Sequence, residues 1–222
     1  MAQPAHPTET ELKLRLRAAD LPRLLAHPQL ATTEQPSQRL RNTYFDTADL
    51  QLMHQRIAVR ERRIGRRTLL TVKTAGSSVG GLSRRGEWEG PTRPGQPDFL
   101  ALVDDAALAQ SLAALAPQLR PLFHTDFTRR RWLVVHGGAQ IEVALDQGEI
   151  RTDAPAGPRS EPILELELEL KDGPVPALFG LALALADGPD GEGLWLMPAD
   201  RSKAERGLAL FQGRAPAPRK AL

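Results

Sequence analysis

The sequence predicts an α+β protein built on one large antiparallel sheet that bends or closes, with helices against its apolar face. Three observations carry this prediction. Eight segments alternate polar and apolar residues with the period of a strand. Turn signals separate several of them, including Ile64-Gly65, Gly76-Ser77-Ser78, Gly80-Gly81 and His136-Gly137-Gly138. Four other stretches read as helices.

In chain order, residues 8–17 alternate as the first strand, and 21–30 form a short helix interrupted by prolines. Residues 39–46, 56–64, 68–74 and 82–90 follow as strands, and the proline-rich 91–97 as a linker. Apolar positions at helical spacing place a central helix over 98–115, with Asp98 suited to cap it. Strands at 123–136, 139–146 and 162–171 come next, the last two separated by a surface loop at 153–159. The helix predicted over 176–186 opens with a proline that suits a first turn. Another, over 199–211, closes the folded part. No internal repeat is present, so one domain is expected over 8–212. It lies between a disordered N-terminus (1–7) and a flexible Pro-rich tail (213–222).

At 222 residues the chain is long enough to bury a sizeable core. Its net charge of +2 argues against nucleic-acid binding by bulk charge, so any anion must be held by a local cluster of bases. With no cysteine, disulfides, thiolate catalysis and zinc–cysteine sites are excluded. The N-terminus lacks a basic and an apolar signal region, and the longest apolar run, 178–186, is too short to span a bilayer. A cytoplasmic protein with no membrane partner, monomer or homodimer, is the expectation.

The strand faces carry the chemistry. Glu9, Glu11, Lys13, Arg15 and Arg17 share one face of the first strand, opposite Leu12, Leu14 and Leu16. The same pattern recurs down the chain. Arg56, Arg60 and Arg62 align, as do Thr71 and Lys73, and Arg85, Glu87 and Glu89. So do Arg129 and Arg131, Glu142 and Asp146, and Glu165, Glu167 and Glu169. For a single strand, a solvated outer face explains such charges. Two features of the set favour a site. Glutamate and lysine are poor strand formers, yet Glu165–Leu170 is a strict Glu-Leu alternation. Acids and bases are also partly segregated by strand. If the sheet closes with its leucines outward, these charges converge on a lumen, where they must be paired, hydrated or occupied by ions. Arginine forks and ammonium groups suit phosphate oxygens, and clustered carboxylates suit Mg²⁺ or Mn²⁺.

Seven elements in order resemble one family: Glu9-x-Glu11-x-Lys13, Tyr44-Phe45-Asp46-Thr47, Arg60-x-Arg62, Thr71-Val72-Lys73, Ala144-Leu145-Asp146-x-Gly148, Glu165–Leu170 and Ser202-Lys203. Together they look like the CYTH superfamily of triphosphate tunnel metalloenzymes. Gly80-Gly81-Leu82, Thr125-Asp126-Phe127 and 202–207 are most similar to its bacterial inorganic triphosphatases. The resemblance implies an eight-stranded antiparallel β-barrel, the triphosphate tunnel, with helices packed outside. It implies hydrolysis of inorganic triphosphate with Mg²⁺ or Mn²⁺. Carried over by residue, Glu9, Glu11, Asp146, Glu165, Glu167 and Glu169 would be metal-site carboxylates, with Glu9 or Glu11 catalytic. Lys13, Arg60, Arg62, Lys73, Arg85, Arg129 and Arg131 would hold the triphosphate, and Lys203 would close over it. Relatives often continue into a helical CHAD domain, which this chain is expected to lack.

Two other functions compete. The same fold could act on thiamine triphosphate or nucleoside triphosphates, or cyclise ATP. An aromatic content of 5%, with no ring interleaved among the charged faces, disfavours base recognition. A non-catalytic polyphosphate-binding module would not need the acidic set, since carboxylates repel a polyanion without a metal between them. Tyr44 reads as packing, and His54, His124 and His136 are not spaced as metal ligands. Trp88, Trp132 and Trp195 read as packing between sheet and helices, and 188–193 as a turn.

Overall fold

A computed structural model describes residues 8–31, 34–153, 157–188 and 191–214. The expectations for residues 1–7 and 215–222 lie outside the described residues.

Alternation does what it predicts and builds a closed barrel. The strands are β1 (Thr8–Leu16), β2 (Glu34–Asp46), β3 (Ala58–Ile64), β4 (Arg67–Val79), β5 (Leu82–Pro91), β6 (Arg120–His136), β7 (Ala139–Thr152) and β8 (Arg159–Asp172). All pair antiparallel in the order β5-β4-β3-β2-β6-β7-β8-β1, and β1 returns to β5 to close the ring. The closing strand is shared along its length. Thr8 to Leu12 pair with Gly86 to Leu82, and Glu11 to Arg15 with Glu169 to Glu165. A short β9 (Leu196–Pro198) that the alternation did not signal adds to the far end of β1. Two-residue hairpins join β4 to β5 through Gly80-Gly81 and β6 to β7 through Gly137-Gly138. All four glycines have positive φ, which this tight turn requires at both central residues.

The apolar faces point outward and are covered. Leu12, Leu14, Leu166 and Leu168 pack under α5 (Pro176–Ala186) through Leu178, Leu181 and Leu185, joined by Trp132. Val59, Leu70, Val72 and Trp88 pack under α3 (Phe99–Leu102) and α4 (Ala106–Leu115). A third cluster, including Tyr44, Phe123 and Phe127, lies instead on the inner wall of the barrel, where α6 (Lys203–Gln212) packs against it. Trp195 instead lies under the Arg17 guanidinium. No helix among the described residues is long and apolar enough to cross a membrane.

Several boundaries differ from the sequence reading. The helix expected over 98–115 is two helices, because Val103 is extended (φ −99°, ψ 119°) and Asp105 caps a fresh start at Ala106, accepting from the Leu108 N–H. Asp98 does cap the first piece, accepting from the Ala101 N–H. Trp88 Nε1 donates to Asp104 at 2.7 Å and pins the break to the barrel. The stretch 21–30 divides into α1 (Leu21–Leu25) and a 3₁₀ turn started by Pro28. Helix α6 begins at Lys203 rather than 199, since Ser202 and Glu205 form a capping box there. Arg56 adopts φ 57° and so leaves the strand, which begins at Ala58.

A one-turn helix, α2 (Gln51–His54), follows β2 and is held by one buried carboxylate. Asp46 accepts from the Thr47, Leu52 and Met53 amides at 2.7–3.0 Å. Asp46→Ala orphans these donors, and the turn already contains Leu50 at φ 59°. Urea unfolding of this variant is expected to show a loss of about 2–3 kcal/mol. A loss below about 0.5 kcal/mol, the range of an ordinary surface change, would contradict this account.

Candidate active site

Because β-strand side chains alternate, closure turns every charged face inward. The lumen holds a cavity of about 670 Å³, lined by Glu9, Glu11, Lys13, Arg60, Arg62, Lys73, Arg85, Arg129, Arg131, Glu167, Glu169 and Lys203 among others. Asp146 and Glu165 lie deeper in the same wall, almost fully buried. Thus the structure brings the proposed metal, phosphate-binding and catalytic residues to one interior. Arg15 and Arg17, on the same face of β1, run past the end of the lumen and are exposed.

The charges are ordered around the wall. Where β1 meets β5, Glu9 accepts from Lys73 at 2.8 Å and Arg85 at 3.0 Å, and Arg85 also reaches Glu11 at 3.0 Å. Lys13 pairs with Glu11 at 3.2 Å and Glu167 at 3.7 Å. On β3, Arg60 donates to the Tyr44 hydroxyl and Thr71, and lies 3.7–3.8 Å from Glu87 and Glu89. Arg62 donates to the Asn42 carbonyl and lies 3.5 Å from Glu89. Arg131 reaches Glu142 at 3.4 Å, while its buried Nε has no partner among the described residues. Glu169 pairs with Lys171 at 2.6 Å, apart from the other β8 glutamates.

Asp146, Glu165 and Glu167 converge opposite β3. They each offer an oxygen, all within 4.8 Å of one another, and all three residues are buried. Lys203 Nζ sits among them, 2.6 Å from Asp146, 3.0 Å from Glu167 and in contact with Glu165. Arg129 forks onto Asp146 with two bonds of 2.7 Å and reaches Glu167 at 2.5 Å. An all-oxygen, carboxylate donor set of this kind fits a hard divalent cation such as Mg²⁺ or Mn²⁺.

Electrostatics separate satisfied groups from unsatisfied ones. Burial disfavours the Lys203 ammonium, but Asp146, Glu165 and Glu167 outweigh it and hold its pKa above the ordinary lysine range. Burial likewise opposes ionised Glu167, yet Lys203, Arg129 and Lys13 hold it well below the usual carboxylate range. Arg62 is the reverse case. Burial and neighbouring Arg60 push it down to about 10, against the pull of Glu89. Glu169 is raised by burial against the pull of Lys171, with Glu9 and Glu142 adding repulsion. The lumen thus sets the bases of β1, β3 and β6 beside the carboxylates of β7 and β8.

Four site residues were not singled out from the sequence. Glu87 and Glu89 were visible as inward-facing acids on the strand that carries Arg85, but they shared that face without a motif. Tyr44 accepts a hydrogen bond from Arg60 at its hydroxyl as well as packing on Phe123. Arg206, one turn after Ser202, locks α6 to β8 through Glu161 and Glu165 at 2.7 Å. Its sequence signal was its place in 202–207, a stretch that carries the family resemblance without assigning Arg206 a role.

Comparison with known proteins agrees with this geometry. The CYTH domain family matches residues 7–184, and the chain belongs to that family. It is 36% identical over 205 residues to an inorganic triphosphatase of Haemophilus influenzae, an alignment covering 91% of this chain and 54% of the relative. The chain thus spans about half the length of that relative. Among solved structures, the fold resembles that of a candidate adenylyl cyclase from Hippeastrum with a dominant triphosphatase activity. That match has 19% identity, 93% and 97% coverage of the two chains, and a TM-score of 0.64. A protein from Pyrococcus horikoshii OT3 is similar at 18% identity, covering 89% and 98%, with a TM-score of 0.54.

Proposed function

We propose that this chain hydrolyses inorganic triphosphate to pyrophosphate and phosphate inside the barrel, with Mg²⁺ or Mn²⁺. The observation that carries the reading is a lumen where opposed bases and carboxylates meet on facing walls. Phe127 is covered by Arg129 and Lys203, and Tyr44 and Phe123 stack on each other at 4.5 Å. A purine or thiazole would need a ring to stack on, and these three are already engaged, whereas a bare phosphate chain needs none. The family and the Haemophilus relative support the same activity.

Asp146, Glu165 and Glu167 would hold the metal, with Glu9, Glu11 and Glu169 as further carboxylates on the inner wall. When bound, the metal supplies charge neutralisation at phosphate oxygens and a more acidic water. Arg60, Arg62, Arg129 and Arg131 hold the phosphate oxygens as planar forks, while Lys13, Lys73, Arg85 and Lys203 add charge from the other walls. In the reaction a water oxygen bonds to the terminal phosphorus as the bridging P–O bond breaks and pyrophosphate leaves. The water's proton passes to Glu9 or Glu11, both close to the bases that position the chain.

The test is phosphate release from tripolyphosphate with Mg²⁺ or Mn²⁺, beside thiamine triphosphate and ATP with cyclic AMP monitored. Tripolyphosphate is expected to be the best substrate. Arg60→Met and Glu11→Gln are each expected to lower kcat/KM by about 10²-fold or more. No release, or unchanged activity in both variants, would defeat the proposal. Metal-independent binding without turnover would point instead to a polyphosphate-binding module.

A further inference from the structure

Among the described residues, Lys203 is the one cation that contacts all three members of the buried carboxylate trio, and it arrives from a helix rather than from the barrel. Asp146, Glu165 and Glu167 each direct an oxygen at its Nζ. Their other oxygens are engaged elsewhere. Asp146 Oδ1 accepts from Arg129 Nε, Glu165 Oε2 from Arg206, and Glu167 Oε2 from Arg129, while Asp146 Oδ2 is shared between Lys203 and Arg129 Nη2. The oxygens that face Nζ are therefore those that a cation at the centre of the trio would use. An ammonium with three donors and three acceptors around it is fully satisfied there. A divalent ion needs the same oxygens at about 2.0–2.6 Å, so the ion and the ammonium exclude each other.

We infer that Lys203 is a built-in competitor of the divalent metal, seated on the metal's own carboxylates until it is displaced. This rests on the reading of Asp146, Glu165 and Glu167 as metal ligands. It goes beyond a lysine that merely closes over the substrate, because it sets how tightly metal binds before substrate does. A metal entering alone must expel a buried ammonium with no new acceptor for it. A metal entering with a phosphate chain brings acceptor oxygens that Nζ can take. Lys203 thus makes metal loading depend on the phosphoanion, so that metal and anion bind cooperatively. The surroundings favour such a seat. Phe127 lies 5.0 Å below Nζ, and Arg206 anchors α6 to Glu161 and Glu165, which keeps the helix docked when the ammonium leaves.

Calorimetric titration with Mn²⁺ alone, with no phosphate compound present, reads this directly. Lys203→Met is expected to bind Mn²⁺ at least tenfold more tightly than the unchanged chain, and Mn²⁺ is expected to raise its Tm by more. Lys203→Arg keeps the charge and should stay as weak as the unchanged chain. If Lys203→Met folds poorly, Lys203→Gln removes the charge with a polar head and carries the same expectation. Mn²⁺ affinity within twofold of the unchanged chain in the uncharged variants, while Asp146→Asn abolishes binding, overturns the inference alone. Mn²⁺ binding that is indifferent to Asp146→Asn in both backgrounds overturns the metal reading and this inference with it.

Discussion

Arg129→Met is expected to lower kcat/KM for tripolyphosphate by about 10³-fold and to destabilise the fold by about 3 kcal/mol. Both effects come from one guanidinium. Its fork engages Asp146 at 2.7 Å twice and Glu167 at 2.5 Å, while its plane lies 5.7 Å from Phe127. Removing one partner of a buried ion pair costs about 3–5 kcal/mol because the other charges stay in low dielectric. The low end applies here, since Lys203 still covers Asp146 and Glu167. The catalytic loss reflects a missing planar donor pair on the phosphate, the kind of contact that supplies most of the barrier lowering in phosphoryl transfer. Arg129→Lys separates the two. It keeps a charge beside the carboxylates and so recovers much of the stability, but an ammonium cannot reproduce the fork and activity should stay low. Urea unfolding and steady-state phosphate release measure the pair. Activity within threefold of the unchanged chain in Arg129→Met would remove this residue from the site.

What the sequence made legible follows from one geometric fact, that side chains in a strand alternate. Glu9, Glu11 and Lys13 against Leu12 and Leu14 could be sorted into inner and outer faces before any fold was known, and so could the Glu-Leu run of β8. The direction of closure was less visible. Nothing local to Glu9 says that Arg85 will stand beside it, because that contact exists only when β1 meets β5 across the seam of the ring. For the same reason alternation gives no rank among the carboxylates. Glu165, Glu167 and Glu169 read alike along the strand. In space Glu165 and Glu167 join Asp146, which is opposite Glu165 on β7, while Glu169 pairs with Lys171. Helix boundaries failed where a side chain overrode periodicity. Asp105 restarts a helix that the apolar spacing runs straight through, and Ser202 delays one that composition starts earlier. The seat of Lys203 was the least readable feature. It depends on where a whole helix docks, and no property of Ser202-Lys203 itself encodes that.

Gly207→Leu tests that docking, and two arguments predict opposite signs for it. Glycine inside a helix is disfavoured, so an exposed α6 would gain up to about 1 kcal/mol from leucine. The structure instead buries Gly207 against Phe123, and a Cβ built there overlaps three atoms of that ring. The ring has nowhere to go. It stacks on Tyr44 with centroids 4.5 Å apart and planes 15° apart, and the Tyr44 hydroxyl is in turn engaged by Arg60. The helix must therefore lift, with an overpacking cost of about 1–3 kcal/mol that exceeds the propensity gain. Lys203 lies four residues before Gly207, on the same face of the helix, so it lifts too and leaves Asp146, Glu165 and Glu167. Misplacing a positioned group by about 1 Å costs roughly 10²-fold in rate, and a loss of that size in tripolyphosphate hydrolysis is expected. Hydrogen exchange should show α6 loosened while β6–β8 stay protected. Adding Phe123→Ala makes room for the leucine and should return part of both the activity and the protection. A Gly207→Leu variant that is more stable than the unchanged chain and equally active would show that α6 does not press on the barrel as described, and that Lys203 reaches the carboxylates by its own reach alone.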